Sequence, residues 1–166
     1  MPTDLLTLLR RDHIDVQQAL TELLDPAATT ADRRLGLDGV RLGLTSHIEA
    51  LSIVLAGFEI VAALRGLVDA VRAAHLAQER ALSALVSARP GSTTWRERAA
   101  HLRELVASHA EQEEAQLIVA LRHHLPVELY ARLAGAFATE RLHQLSMLQP
   151  STPVFIADYA AEARAS

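Results

Sequence analysis

The chain contains no cysteine. That single absence excludes disulfides, thiolate zinc sites, iron–sulfur clusters and cysteine nucleophiles. Aromatic residues are scarce at 4%, and Ala and Leu dominate, which favours helix over sheet. Lysine is also missing, so all 16 basic residues are arginine, a bias of the coding sequence and not of function. No basic excess exists either: the net charge is −4, which lacks the electrostatic footprint of a nucleic-acid binder. Gly-rich phosphate loops, Gly-x-Ser-x-Gly and basic-aromatic patches are absent, leaving hydrolase and nucleotide-binding readings without support.

Long apolar runs are missing too. The most apolar stretch is Ala50 to Phe58, bordered by Glu49 and Glu59, and falls well short of the ~20 residues that span a bilayer. The segment MPTDLLTLLRRDH lacks the basic region, apolar run and cleavage site of a signal peptide. A cytoplasmic protein with no membrane partner is expected. With 166 residues, one domain is the default.

What is present is helical periodicity. Leu5, Leu8, Leu9, His13, Val16, Leu20 and Leu23 share one stripe of a helix running from an N-cap at Thr3 to about Leu24. Asp25-Pro26 ends it. A second helix is predicted from Thr30 to about Ala56, and Gly57 is the only local punctuation before a third, from Arg65 to Ala88. Arg89 to Thr93 is a loop, and Thr93 or Thr94 caps a fourth helix with Glu97 as capping-box partner. That helix runs to about His124. Pro126 opens a fifth, to about Met147. Gln149 to Pro153 is a linker, and Phe155 to Ala163 a short helix or tail. The division is therefore a helical bundle over 1–148 and a tail over 149–166.

The histidines are spaced as a repeat. His13 and His47 are 34 residues apart (47 − 13), as are His75 and His109 (109 − 75), and the pairs are offset by 62 (75 − 13). The same offset aligns Ser46-His47-Ile48-Glu49 with Ser108-His109-Ala110-Glu111. Two packed helical hairpins would bring one histidine from each of four helices to a common level, the way bundles build metal sites. A residue four positions on lies one turn away and about 40° round. His75 with Glu79, and His109 with Glu113, therefore aim an imidazole and a carboxylate into one space. That donor set suits iron, zinc or manganese.

These motifs resemble hemerythrin-like, or HHE cation-binding, domains. In that family a lone His on helix one is followed by His-x-x-x-Glu on helix two, His on helix three and His-x-x-x-Glu on helix four. The positions fall on His13, His47, His75 with Glu79, and His109 with Glu113, preceded by Asp12 in an Asp-His pair and followed by Glu114. The likeness covers residues 5 to about 125. It implies an up-down-up-down four-helix bundle, here with an additional C-terminal helix, holding one or two iron ions. His13, His47, His75 and His109 would be terminal ligands, Glu113 a bridge and Glu79 a terminal carboxylate. Dioxygen, nitric oxide or peroxide would be the small ligand. One position departs: Leu51 stands where the family has the helix-two carboxylate. Glu49 faces the opposite side of the helix, Glu59 is too distant, and Gln17 offers only a neutral oxygen. The site then holds two metals, one metal near His75, Glu79, His109 and Glu113, or none, in a scaffold acting by association.

Other polar groups have ordinary explanations. His101 lies among Glu97 and Glu104 on a solvated face. His123 and His124 suit the negative end of a helix. Glu140 and His143 form one i, i+3 pair where diiron bundles need two. No nucleophile or general acid accompanies the histidines, so a dedicated hydrolytic enzyme is not expected; peroxide turnover stays open. The surplus of apolar residues from Ile48 to Val71 exceeds one core face and suggests a homodimer, or cover by the fifth helix or by the tail at Phe155, Ile156 and Tyr159.

Overall fold

The computed structural model describes residues 4–148, and every regular element among them is helical. Helix α1 spans Leu5–Leu23 and buries Leu5, Leu9, Asp12, His13, Val16, Leu20 and Leu23. This is the predicted stripe with Asp12 added and Leu8 only partly buried. Its N-cap position is Asp4; Thr3 lies outside the described residues. Helix α2 spans Thr30–Leu55. Thr29 caps it: the hydroxyl accepts from the Asp32 N–H, and the Asp32 carboxylate accepts from the Thr29 N–H at 2.9 Å. That reciprocal pair satisfies two donors that the first helical turn leaves free.

Gly57 separates α2 from α3 with φ of +91°, a left-handed conformation that glycine adopts without a side-chain clash. One 3-10 turn, Phe58–Ile60, follows, and α3 spans Ala62–Val86, starting three residues before the predicted Arg65. Ser92 caps the next helix by accepting from the Trp95 N–H at 3.1 Å, one residue earlier than predicted, so Glu97 is not a box partner. Helix α4 covers Thr93–Gln112, a π turn covers Glu113–Leu117, and α5 covers Ile118–His124. The three run on without a break, as the single predicted helix to His124. Helix α6 spans Val127–Leu148. The proposed linker and tail from Gln149 lie outside the described residues. No helix among those described is long and apolar enough to cross a membrane.

Two apolar clusters form the core. One contains Leu5, Leu9, Leu51, Leu55, Leu64, Val68, Val71, Leu117, Leu121, Leu133 and Phe137. The other contains Val16, Leu20, Leu37, Leu44, Leu82, Leu85, Trp95, Leu102 and Val106. Each buried Leu contributes roughly 1.5–3 kcal/mol. The clusters are divided along the chain by the histidines. His13 falls between Leu9 and Val16, His47 between Leu44 and Leu51, His75 between Val71 and Leu82, and His109 between Val106 and Leu117. A polar layer thus sits between two apolar ones.

Helix α6 explains the apolar surplus after Ile48. Its Leu133, Ala134 and Phe137 share the first cluster with Leu51, Leu55, Leu64 and Val68. Most of the surplus is covered within the chain, leaving Ile53 and Ile60 exposed.

Candidate metal centre

Helices α1 to α4 each place one histidine in the polar layer, and all four are buried. The rings of His13 and His47 lie 5.0 Å apart, those of His75 and His109 4.6 Å apart. Glu113, one turn after His109, is completely buried among them. The inward positions His109, Glu113, Leu117, Leu121 and Leu125 recur in steps of four. In an α-helix each such step drifts about 40° round the axis. The π turn at Glu113–Leu117 takes up that drift, which is why a carboxylate and the leucines after it can face the same interior. Such turns concentrate at functional sites.

Glu113 divides the histidines into two pairs. Its Oε2 lies 3.0 Å from His13 Nε2 and 3.4 Å from His47 Nε2. Its Oε1 lies 3.1 Å from His75 Nε2 and 2.8 Å from His109 Nε2. Burial opposes a charged carboxylate here, yet the close imidazoles of His109, His13 and His47 outweigh it and hold Glu113 well below its ordinary value. His47 is the converse case. Burial disfavours its charge, but Asp12 and Glu113 raise it to about 9. Burial is also the leading influence on His75, and there it prevails, lowering the pKa.

The donor atoms fit a metal. His13, His47 and Glu113 can each turn one ligand atom toward a common point, and His75, His109 and Glu113 form a second such group. His109 Nε2 is only 2.8 Å from Glu113 Oε1, yet it is buried without a hydrogen-bonding alignment, as is His47 Nε2. At that separation the failure is one of direction: the ring nitrogen points past the oxygen. Nitrogen and carboxylate donors converging in this way suit iron, zinc or manganese.

Outer carboxylates support one pair only. His47 Nδ1 lies 3.3 Å from Asp12 Oδ2, and Arg141 of α6 ion-pairs with the same oxygen. His13 Nδ1 lies 3.0 Å from Glu114 Oε1, whose other oxygen accepts from Arg10 Nε at 2.8 Å. Burial opposes the charge on Glu114, but His13 and Arg10 prevail and lower its pKa. Phe137 packs its ring edge-on to His47, with centroids 5.8 Å apart.

No protein-family model, curated protein or solved structure matches the chain. The centre therefore stands on its own geometry.

Five of the six sequence-predicted ligands come together: His13, His47, His75, His109 and Glu113. Glu79 does not. It is exposed, and Gln78 is buried in its place. The buried face of α3 recurs at Leu64, Val68, Val71, His75, Gln78, Leu82 and Leu85, alternating steps of four and three. The inward residue after His75 is therefore three positions on, and four positions on falls at the solvent edge. Gln78 lines a cavity of about 10 Å3 with Asp12, His13, Val16, Leu44, His47, Val106 and His109, close to the minimum for one water. A larger groove of about 420 Å3, lined by Asp38, Arg41, Leu42, Thr45 and Leu148, carries none of these histidines.

Leu51 is fully buried and packs in the first apolar cluster. Glu49 is exposed, as its place on the helix predicts, and Glu59 pairs with Arg72 at 3.4 Å on the surface. His101, His123 and His124 are exposed. Glu140 meets His143 at 3.3 Å away from the buried layer. The supporting residues Asp12 and Glu114 were signalled by their neighbours His13 and Glu113. Arg141 had no such signal, because only the docking of α6 brings it to α1.

Proposed function

We propose that the chain is a hemerythrin-like metal-binding protein, with iron first and zinc or manganese as alternatives, that binds or senses dioxygen, nitric oxide or peroxide. The observation that carries this is Glu113: one fully buried carboxylate with each oxygen facing two imidazoles from two different helices. In this reading His13 and His47 hold one ion, His75 and His109 hold the other, and Glu113 bridges them. Glu79 has no part in the set. Successive helices enter the two apolar clusters from alternate ends, which supports an up-down-up-down bundle with α6 as an added cover.

Iron held there would supply redox-active coordination chemistry toward a diatomic gas or peroxide. The residues around it govern access. Leu51, Val106 and the two apolar clusters keep bulk water out, and the cavity beside Gln78 admits only a very small molecule. Gln78 is the one buried amide in that lining, and its two N–H groups are suited to donate to an oxygen or nitrogen atom.

Elemental analysis of protein reconstituted anaerobically with iron, with a visible spectrum before and after air, tests the proposal. One or two irons per chain, lost in Glu113→Ala, are expected. No retained metal would overturn it.

A second reading is favoured by Leu51. With an apolar side chain packed where the family has a carboxylate, and Glu113 already hydrogen-bonded to His13 and His75, the chain can act as a metal-free helical scaffold. Thermal stability unchanged by a chelator or by added metal would favour that reading.

A further inference from the structure

The two histidine pairs are alike in their Nε2 contacts with Glu113 and unlike behind the ring. On the His13–His47 side, both Nδ1 atoms meet a carboxylate, Glu114 at 3.0 Å and Asp12 at 3.3 Å. Each of those carboxylates is in turn held by an arginine, Arg10 and Arg141. On the His75–His109 side, both Nδ1 atoms are buried and have no hydrogen-bond partner among the described residues. The difference follows from the chain: helix α1 carries Asp12 beside His13, and the π turn carries Glu114 beside Glu113. Helix α3 has Ala74 directly before His75, where α1 has Asp12 before His13, and turns Glu79 to solvent.

An Nδ1–H donated to a carboxylate fixes the ring's tautomer, leaves the Nε2 lone pair for the metal and raises the basicity of that nitrogen. Loss of such a partner lowers metal affinity by about 10- to 100-fold. An imidazole without one must fix its orientation by packing alone and remains a weaker donor. The arginines hold Asp12 and Glu114 oriented toward the rings. Arg141 is the better shielded of the two, with its side chain 21% exposed against 57% for Arg10.

We infer that the centre comprises two unequal cation positions, a tight one at His13, His47 and Glu113 and a weaker one at His75, His109 and Glu113, which fill in that order. This rests on the metal-binding reading above and adds to it an order of occupation, with Asp12, Glu114 and Arg141 as positioning residues. A protein built this way can hold one ion permanently and exchange the other, or hold two different divalent cations.

Calorimetric titration of the metal-free full-length chain with Co2+ tests the inference, with the Co2+ absorption bands recorded in parallel. Two binding events at least about tenfold apart in Kd are expected. His75→Ala should remove the weaker event and keep the tight one, whereas His47→Ala should remove the tight one. Asp12→Asn should weaken the tight event by about tenfold or more and change its absorption bands. Because Asp12→Asn also disturbs Arg141, Glu114→Gln serves as a second variant at a more exposed position, with the same expected direction. If only one ion binds, its loss in His47→Ala and survival in His75→Ala would support the order. Equal events, or a tight event removed by His75→Ala and untouched by Asp12→Asn and Glu114→Gln, would overturn it while leaving metal binding intact. Absence of any binding would overturn the metal reading itself.

Discussion

The Nδ1 of His47 lies 3.3 Å from the Oδ2 of Asp12, so a carboxylate on α1 backs an imidazole on α2. Arg141 reaches the same oxygen from α6. Helices α1, α2 and the distant α6 are thereby joined through one buried carboxylate. Arg141→Gln leaves Asp12 without its cationic partner, and a loss of about 1–3 kcal/mol is expected. Urea unfolding of the metal-free protein measures it. An unchanged midpoint would mean that the pair does not hold α6 in place.

Glu113 is the group most sensitive to change. Glu113→Ala removes both oxygens from the four imidazoles, and metal content should fall to a small fraction of wild type. Metal that binds only the folded state stabilises it, by about 2.7 kcal/mol at a hundredfold excess over Kd. Thermal melts with and without iron should therefore diverge for wild type and coincide for Glu113→Ala. A variant still stabilised by iron would remove Glu113 from the ligand set.

The metal-free protein should carry a pH signature of His47. Burial opposes its charge, but Asp12 and Glu113 raise its pKa to about 9 from an ordinary 6.5. A group raised in the folded state contributes its full stability below about pH 6.5 and loses it as pH rises through about 9. The stability difference between wild type and His47→Gln should accordingly be larger at pH 6 than at pH 9.5. Chemical unfolding at the two pH values measures this, and a difference independent of pH would refute it.

Glu113 has the opposite sign. Its pKa is held well below the ordinary 4.5 against the effect of burial, chiefly by His109, His13 and His47. Its contribution is present above about pH 4.5 and lost as pH falls toward the lowered value. Acid unfolding of Glu113→Gln should be shallower than that of wild type. Parallel acid titrations followed by circular dichroism would show whether it is.

Leu51 tests the departure from the hemerythrin-like pattern. Leu51→Ala opens a cavity in the first apolar cluster and should cost about 2–5 kcal/mol. Leu51→Glu should destabilise the metal-free chain at least as much, since an unpaired charge is buried. If that side chain does face the polar layer, added metal should recover much of the loss. A loss that metal leaves unchanged would place position 51 wholly within the apolar cluster.

Much of the centre was legible because helical spacing is a local property. Four histidines at matched separations, each preceded three or four positions back by an apolar residue (Leu9, Leu44, Val71 and Val106), announce a shared layer before any packing is known. His109 and Glu113, one turn apart, must share a face. Glu79 shows the limit of that argument. Positions three and four after His75 both neighbour it, and the choice between them depended on the whole face from Leu64 to Leu85. The π turn was illegible for a related reason, since it answers a drift accumulated over Val106 to Leu125.

The sequence by itself determined the helices, the cap of the fourth to within a residue at Ser92, and the four imidazoles that meet. These depend on turn chemistry and on periodicity within one segment. Only the tertiary structure decided that Glu113 divides the imidazoles into two pairs, that Leu51 belongs to an apolar cluster, and that Arg141 reaches Asp12. Each of those is a contact between segments far apart in the chain. Such contacts depend on how helices are rotated and docked against one another, which no spacing within a single helix specifies.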